Sequence, residues 1–190
     1  FLGDYHRTKY YAHLQATRFM AEGLPIILVL PASVFCPNDL SDPNRVFTWC
    51  RRFKRGWVPH WLPDGGKLVL NVVYGDDVAR GILLAMHKGE TGEGYLLGGE
   101  NISVRELMQR IASLAGDTRP FRGFPVAPLA PVAAICEAFA GLTGTRPLLR
   151  RGLVRSMQRS WAFSSEKAKR VLGYTLTPLE DSLKSTFDSA

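Results

Sequence analysis

The hexapeptide DYHRTK at residues 4–9 places a tyrosine and a lysine four residues apart, at the start of a segment with helical periodicity. Residues four apart lie on one face of a helix, so the ammonium group of Lys9 would lie near the hydroxyl of Tyr5. A free tyrosine, with a pKa of about 10, is a poor base at neutral pH, and a cation held close to it favours the phenolate. The spacing therefore predicts a pair that can transfer a proton. A surface pair without a chemical role is the alternative.

The elements that must position this pair alternate between helix and strand. Apolar and aromatic residues recur at helical spacing from Tyr5 to Ala21, and Gly23 and Pro25 end the pattern. The segment PIILVLP at 25–31 is a short apolar run, typical of a strand buried on both faces of a parallel sheet. A helix followed by a buried strand is half of a βαβ unit, which predicts an α/β fold.

The next elements follow at 68–99. The stretch LVLNVVYGDDVARGILLAM predicts a strand that ends near Tyr74 and then a helix with Asp76 or Asp77 as its N-cap. The segment GYLLGG at 94–99 predicts a second short strand. The residues expected on the inner face of the helix are Val78, Ile82 and Ala85.

Three further helices are predicted from their ends. SVRE at 103–106 has the spacing of a capping box, and Gly116 ends the helix that follows. SSEKAKRVLGY at 164–174 predicts a short helix. TPLEDSLKSTF at 177–187 predicts another, with Thr177 as N-cap, Pro178 at the first helical position and Glu180 completing a capping box.

Composition limits the class of protein. The 190 residues are 46% hydrophobic and 22% charged, which fits one soluble globular domain. Three cysteines, at 36, 50 and 136, are too few and too scattered for a disulfide framework or a zinc site, so we expect no metal and a reducing, cytoplasmic location. The net charge of +7 would assist binding to phosphate-bearing partners but does not by itself indicate a function.

Two segments have competing interpretations. Basic and aromatic residues alternate within 38–67, a pattern also found on nucleic-acid surfaces, but no RNP-type motif accompanies it, so we expect the tryptophans to wall a pocket and no nucleic acid to bind. The apolar run 124–142 contains Glu137 and three prolines, which disfavour a membrane span. A helix starting near Pro131 and packed over a pocket is favoured, and contact with a membrane surface stays open.

The ordered set YHRTK, PIILVLPASVFCP, NVVYGDDVARG, GEGYLLGGENISVRELMQRIASLAG and SSEKAKRVLGY resembles the C-terminal half of an extended short-chain dehydrogenase/reductase. It is most similar to the NAD-dependent epimerase/dehydratase and dihydroflavonol-reductase-like branch. The resemblance implies the C-terminal part of a Rossmann-type doubly wound parallel sheet with a small, mostly helical substrate-binding cap. Residues 1–37 would end the nucleotide-binding domain. Residues 38–190 would form the substrate-binding region, with returning Rossmann elements near 68–98.

The resemblance also implies roles for single residues. Tyr5 would exchange a proton with a substrate hydroxyl or carbonyl, and Lys9 would also hold the nicotinamide ribose of NAD or NADP. Pro31 and Ser33 match the turn that lies against the nicotinamide, although simple strand termination also explains them. Asp77 matches the family's Asp-Val-Ala signature and is interpreted as a helix cap and structural anchor. The implied activity is that of an NAD(P)-dependent oxidoreductase or epimerase/dehydratase acting on a small molecule.

One expected motif does not occur in the sequence. The family's glycine-rich turn, GxxGxxG, which holds the cofactor pyrophosphate, is not found in the 190 residues. We therefore expect the chain to be the downstream part of a larger enzyme, inactive without the N-terminal half of the same fold. A non-catalytic binding or regulatory module is the alternative. Reductase or epimerase activity, NAD or NADP, an apolar or a phosphorylated substrate, and a homodimer all stay open.

Overall fold

The computed structural model describes residues 3–39, 45–58, 60–145 and 147–190. The helices are α1 (Asp4–Ala21), α2 (Arg45–Lys54), α3 (Gly75–Lys88), α4 (Val104–Leu114), α5 (Leu129–Thr143), α6 (Arg151–Ser156), α7 (Glu166–Leu172) and α8 (Leu179–Asp188). The strands are β1 (Leu28–Pro31), β2 (Ser33–Phe35), β3 (Trp61–Pro63), β4 (Val69–Tyr74), β5 (Gly94–Leu97), β6 (Glu100–Ser103) and β7 (Arg122–Phe124).

Parallel strand pairs dominate the topology. β1 pairs with β5, β2 pairs with β4, and β3 pairs with β7, all in parallel, while β6 runs antiparallel to β4. Between β1 and β2 the chain changes partner at Ala32, because Pro31 is aligned with Leu97 of β5 and Ser33 with Val72 of β4. The backbone from 31 to 33 therefore lies where two strand pairs separate.

The core lies on both faces of β4. Val72 and Val73 are both buried, and because successive side chains of a strand point to opposite faces, they belong to different clusters. Val72 packs in the cluster formed with α2, α4 and α8, which includes Leu107 and Ile111. Val73 packs in the cluster formed with α3, β5 and α7, which includes Tyr95. β4 is thus the central strand that supports the rest of the described chain.

The prediction that the 25–31 strand is buried on both faces is wrong for this chain. Leu28 and Val29 of β1 are half-buried, and Leu30 keeps 42% of its surface exposed. Within the described chain β1 is paired only with β5, so its other edge has no strand beside it. α1 likewise has no buried residue along its whole length. The apolar sequence of β1 therefore faces solvent over part of its surface.

Two predicted N-caps are also wrong. α3 begins at Gly75 directly after β4, with Tyr74 as its N-cap, so Asp76 and Asp77 already lie inside the first turn. α8 begins at Leu179 with Pro178 as N-cap. The hydroxyl of Thr177 instead donates to Asp77 Oδ1 at 2.7 Å.

Other local predictions hold in full or in part. The capping contact before α4 is confirmed, because Ser103 Oγ accepts a hydrogen bond from the backbone N–H of Glu106 at 3.1 Å. Val78 and Ala85 of α3 are buried, but Ile82 is 37% exposed and does not belong to the inner face. α5 starts two residues before the predicted position at Pro131. Among the described helices, none combines the length and the hydrophobicity that a membrane-spanning segment needs.

Candidate active site

An open cavity of about 430 Å³, here called the front cavity, lies between the start of α1 and the β1–β2 junction. Three of the four predicted site residues, Tyr5, Pro31 and Ser33, line it. Tyr5 is 69% exposed. The two elements meet here because α1 begins at the same end at which β1 ends. The structure thus brings together residues that are 28 positions apart in the sequence.

Lys9, the fourth predicted site residue, is placed differently. Its Nζ lies 5.7 Å from the centroid of the Tyr5 ring, as expected for residues four apart on one helix face. It is not among the described residues that line the front cavity. The ammonium group therefore lies beside the Tyr5 ring, outside the described lining of the cavity.

Two aromatic residues that the sequence analysis missed fix the start of α1. The ring of His6 stacks on Trp161, with centroids 5.8 Å apart and planes 22° apart, and meets the Tyr5 ring edge-on at 5.6 Å. Trp161 is itself held to β4, because its backbone N–H donates to the carbonyl of Val69 at 2.8 Å. The stacking connects the helix that carries Tyr5 to the central strand. A tryptophan 156 positions after Tyr5 has no local pattern that would have identified it.

A second cavity of about 500 Å³, here called the apolar cavity, adjoins the first. Both cavities are lined by Trp49, Leu68, Leu70 and Met157, so these four residues form a common wall. Trp61 also lines the apolar cavity, with the guanidinium of Arg122 5.8 Å from its ring centroid. Trp57 is 79% exposed and lines neither cavity in the described part of the chain. The expectation of tryptophans walling a pocket thus holds for Trp49 and Trp61 but not for Trp57.

A buried polar network holds β4, whose Leu70 and Val72 line the front cavity. Asn71 of β4 is 1% exposed, and its Nδ2 donates to Asn101 Oδ1 at 2.8 Å, while its Oδ1 accepts from the backbone N–H of Gly99 at 2.8 Å. A Cβ on Gly99 would lie 2.1 Å from the carbonyl oxygen of Val72, so only glycine fits there. This network fixes β4 against the turn between β5 and β6. It was missed because an asparagine inside an apolar strand carries no motif.

Asp77 connects α3 to the C-terminal segment. Its carboxylate is 1% exposed and accepts hydrogen bonds from the backbone N–H of Thr177 at 2.9 Å, from the Thr177 hydroxyl and from Arg80. Burial, and to a lesser extent the nearby Asp77 carboxylate, raises the pKa of Tyr174 to about 12. Asp77 lines neither the front nor the apolar cavity in the described chain. The contacts are those of an anchor between distant segments.

The parallel strand pairs, the helices between them and the cleft at the carboxyl end of β1 are those of a Rossmann-type α/β protein, a class in which ligands bind at the carboxyl edge of the sheet. Residues 2–98 match the model of the NAD dependent epimerase/dehydratase family, and the chain belongs to this family. The resemblance and the fold class predicted from the sequence are thereby confirmed.

Individual proteins support this assignment. The chain is 27% identical to a putative dihydroflavonol 4-reductase of Synechocystis, over 96% of this chain and 53% of that protein. It is 31% identical to sterol demethylase protein B of Methylococcus capsulatus, over 64% of this chain and 36% of that protein. The chain spans about half the length, or less, of these curated relatives.

Two solved structures have a fold similar to that of this chain. The crystal structure of gox2253 matches with a TM-score of 0.78 at 32% identity, over 98% of this chain and 56% of that one. A nucleoside-diphosphate-sugar epimerase from Pseudomonas aeruginosa matches with a TM-score of 0.70 at 26% identity, over 98% of this chain and 55% of that one.

Proposed function

We propose that this chain supplies the proton-transfer end and the nicotinamide-facing end of an NAD(P)-dependent oxidoreductase of the extended short-chain dehydrogenase type. The observation that carries the proposal is the meeting of Tyr5, Pro31 and Ser33 around the front cavity, with the Lys9 ammonium beside the Tyr5 ring. The reaction would take place at a carbinol or carbonyl carbon.

The residues around the front cavity fit a nicotinamide cofactor. Pro31 and Ser33 are both exposed at the point where the chain leaves β5 for β4, which leaves a cleft beside their backbone. Lys9 is exposed on the same helix face as Tyr5 and can donate hydrogen bonds to ribose hydroxyls. When bound, the nicotinamide accepts or gives the hydride, which is chemistry that side chains cannot supply.

The role of Tyr5 follows from its position. In the oxidising direction the substrate hydroxyl gives its proton to the Tyr5 phenolate oxygen, and in the reducing direction the Tyr5 hydroxyl returns a proton to the new alkoxide. Lys9 places a positive charge close to this proton-transfer group, with its Nζ 5.7 Å from the centroid of the Tyr5 ring. The stacking of His6 on Trp161 orients the helix turn that carries Tyr5.

The exposed faces of α1 and β1 are the surfaces on which we expect the rest of the enzyme to pack. We propose that they pack against the further part of the fold that the longer relatives possess, because an apolar strand with one unpaired edge is a template for pairing. That part would contribute the pyrophosphate-binding turn, which the 190-residue sequence does not contain.

The test uses a protein extended upstream to the length of its relatives. Tyr5→Phe should preserve the affinity for NADH or NADPH, measured by calorimetric titration, and should reduce kcat about 10²- to 10⁴-fold, the usual contribution of a positioned acid–base group. Lys9→Met should weaken cofactor binding and also reduce kcat. Tyr11→Phe, on the same helix, is the matched control. Normal turnover in Tyr5→Phe would contradict the assignment, and cofactor binding without any turnover in the unmodified protein would favour the non-catalytic module.

A further inference from the structure

The chemistry of the apolar cavity indicates what kind of molecule it holds. Its described lining includes one charged residue, Arg52, whose side chain is exposed. The other lining residues are hydrophobic side chains, Pro63 and Gly66. Its principal side chains are Trp49, Trp61, Leu62, Met108, Phe124 and Met157. Its volume of about 500 Å³ is that of a pocket for a small organic ligand.

Several residues that line this cavity are held in place by core packing, backbone conformation and hydrogen bonds. Leu62 and Met108 are buried in the core, so their positions are fixed by packing on both sides. Gly66 has a φ of +71°, and a Cβ there would lie 2.8 Å from the backbone nitrogen of Arg105, so the wall at this point allows no side chain. The guanidinium of Arg105 is held by the carbonyls of Gly65 and Phe121, which ties this turn to the start of α4.

The lining of the apolar cavity disfavours a phosphorylated group. A diphosphate that leaves water needs several hydrogen-bond donors or cations, since burying a charge without partners is very costly. The described walls offer only Arg52, at the rim, while Arg122 is directed onto the Trp61 ring. An apolar group, in contrast, gains by leaving water for this lining.

We infer that the substrate is an alcohol or ketone with an apolar body, such as a polycyclic or long aliphatic group, and that this body lies in the apolar cavity. Because Trp49, Leu68, Leu70 and Met157 line both cavities, the two cavities are adjacent, and in this proposal one molecule occupies both, with its reacting carbon at Tyr5. The inference rests on the proposed function for the reaction, and on the cavity alone for the binding. It selects an apolar substrate over the nucleotide sugars of some relatives.

The experiment measures binding separately from turnover. Two apolar probes, a 3-hydroxysteroid and 2-tetradecanol, and one polar probe, UDP-glucose, are titrated into the upstream-extended protein while its tryptophan fluorescence is recorded. At least one apolar probe should saturate the signal at micromolar concentration, and UDP-glucose should not. Trp61→Ala should weaken that binding roughly ten- to thirty-fold, as truncation of a central aromatic contact does. Trp57→Ala, which removes an equal ring outside both cavities, should change it less than twofold.

Further variants separate the possible causes of failure. Trp61→Phe keeps an aromatic ring and should recover most of the affinity, which distinguishes a lost contact from a misfolded protein. Met157→Glu introduces a carboxylate into the common wall and should also weaken the apolar probe. Tyr5→Phe should keep the probe affinity whatever it does to turnover, so the proposed function can fail while this inference stands. Saturable UDP-glucose binding that Trp61→Ala abolishes, with neither apolar probe bound, would overturn it.

Discussion

The substitution Asp77→Asn tests which contacts hold α3 to the C-terminal segment at Thr177. The substitution keeps the shape of the side chain but removes its charge and replaces one acceptor oxygen by an NH2 donor. In the native protein both carboxylate oxygens are occupied, Oδ2 by the backbone N–H of Thr177 and Oδ1 by the Thr177 hydroxyl and Arg80. The amide group of asparagine can accept on one side only. At least one of the three donors, from Thr177 or Arg80, therefore loses its acceptor, and the remaining bonds lose the charge of the carboxylate.

The magnitude follows from these contacts. A hydrogen bond to a charged group contributes about 1.5–3 kcal/mol, and Asp77 is 1% exposed, so water cannot replace the lost partner. The ion pair with Arg80 adds little, because the Arg80 side chain is 51% exposed and such pairs contribute about 0–1 kcal/mol. We expect Asp77→Asn to lower the free energy of unfolding by about 2–3 kcal/mol. With an m-value of about 2 kcal/mol/M, the urea midpoint should fall by about 1 M or slightly more.

The assay is equilibrium urea unfolding followed by circular dichroism. The matched control is Asp76→Asn, which removes the same charge from the neighbouring residue in the same first turn of α3, where the side chain is exposed. It should change the free energy of unfolding by less than about 0.5 kcal/mol. Equal effects in the two variants would refute the reasoning, because they would mean that the charge near the helix start matters and the contacts with Thr177 do not.

Two further predictions concern the thiols and the cofactor. At pH 8 the native protein should label Cys136 with a thiol reagent while Cys50 reacts only in denaturant, since burial raises the pKa of the Cys50 thiol to about 12. Cys36 should react more slowly than Cys136, because burial also raises the pKa of its thiol. Because that folded-state pKa lies above the ordinary 9.0, the contribution of the neutral Cys50 thiol to the free energy of unfolding is fully present below pH 9 and is lost as the pH rises towards 12. The pKa of Tyr174 is raised into the same range, so the measurement is the difference in urea unfolding between the unmodified protein and Cys50→Ala. Rapid native labelling of Cys50 would contradict both statements. The 190-residue chain alone should bind NADH and NADPH poorly and show no dehydrogenase activity, and a micromolar Kd by calorimetry without upstream residues would contradict the assignment of the pyrophosphate site to a further segment.

Local sequence patterns determined the elements of this protein. The helical periodicity from Tyr5 to Ala21 and the apolar run before Pro31 correctly placed α1 and β1, because both depend on side-chain spacing within one segment. The four-residue spacing of Tyr5 and Lys9 likewise decided their proximity, since one helix turn brings such residues together whatever surrounds them. The ordered set of motifs was sufficient to identify the family.

Contacts between distant segments were decided only by the tertiary structure. Thr177 has a capping pattern in the sequence, but its hydroxyl binds Asp77, 100 positions earlier, and a competing partner of this kind leaves no local trace. The stacking of Trp161 on His6 and the common wall of the two cavities have the same origin. Burial of β1 was overestimated because it depends on which strands lie beside it, and the described chain provides only β5. Spacing along the chain specifies what one element can do, whereas the choice among distant partners depends on how all the elements pack.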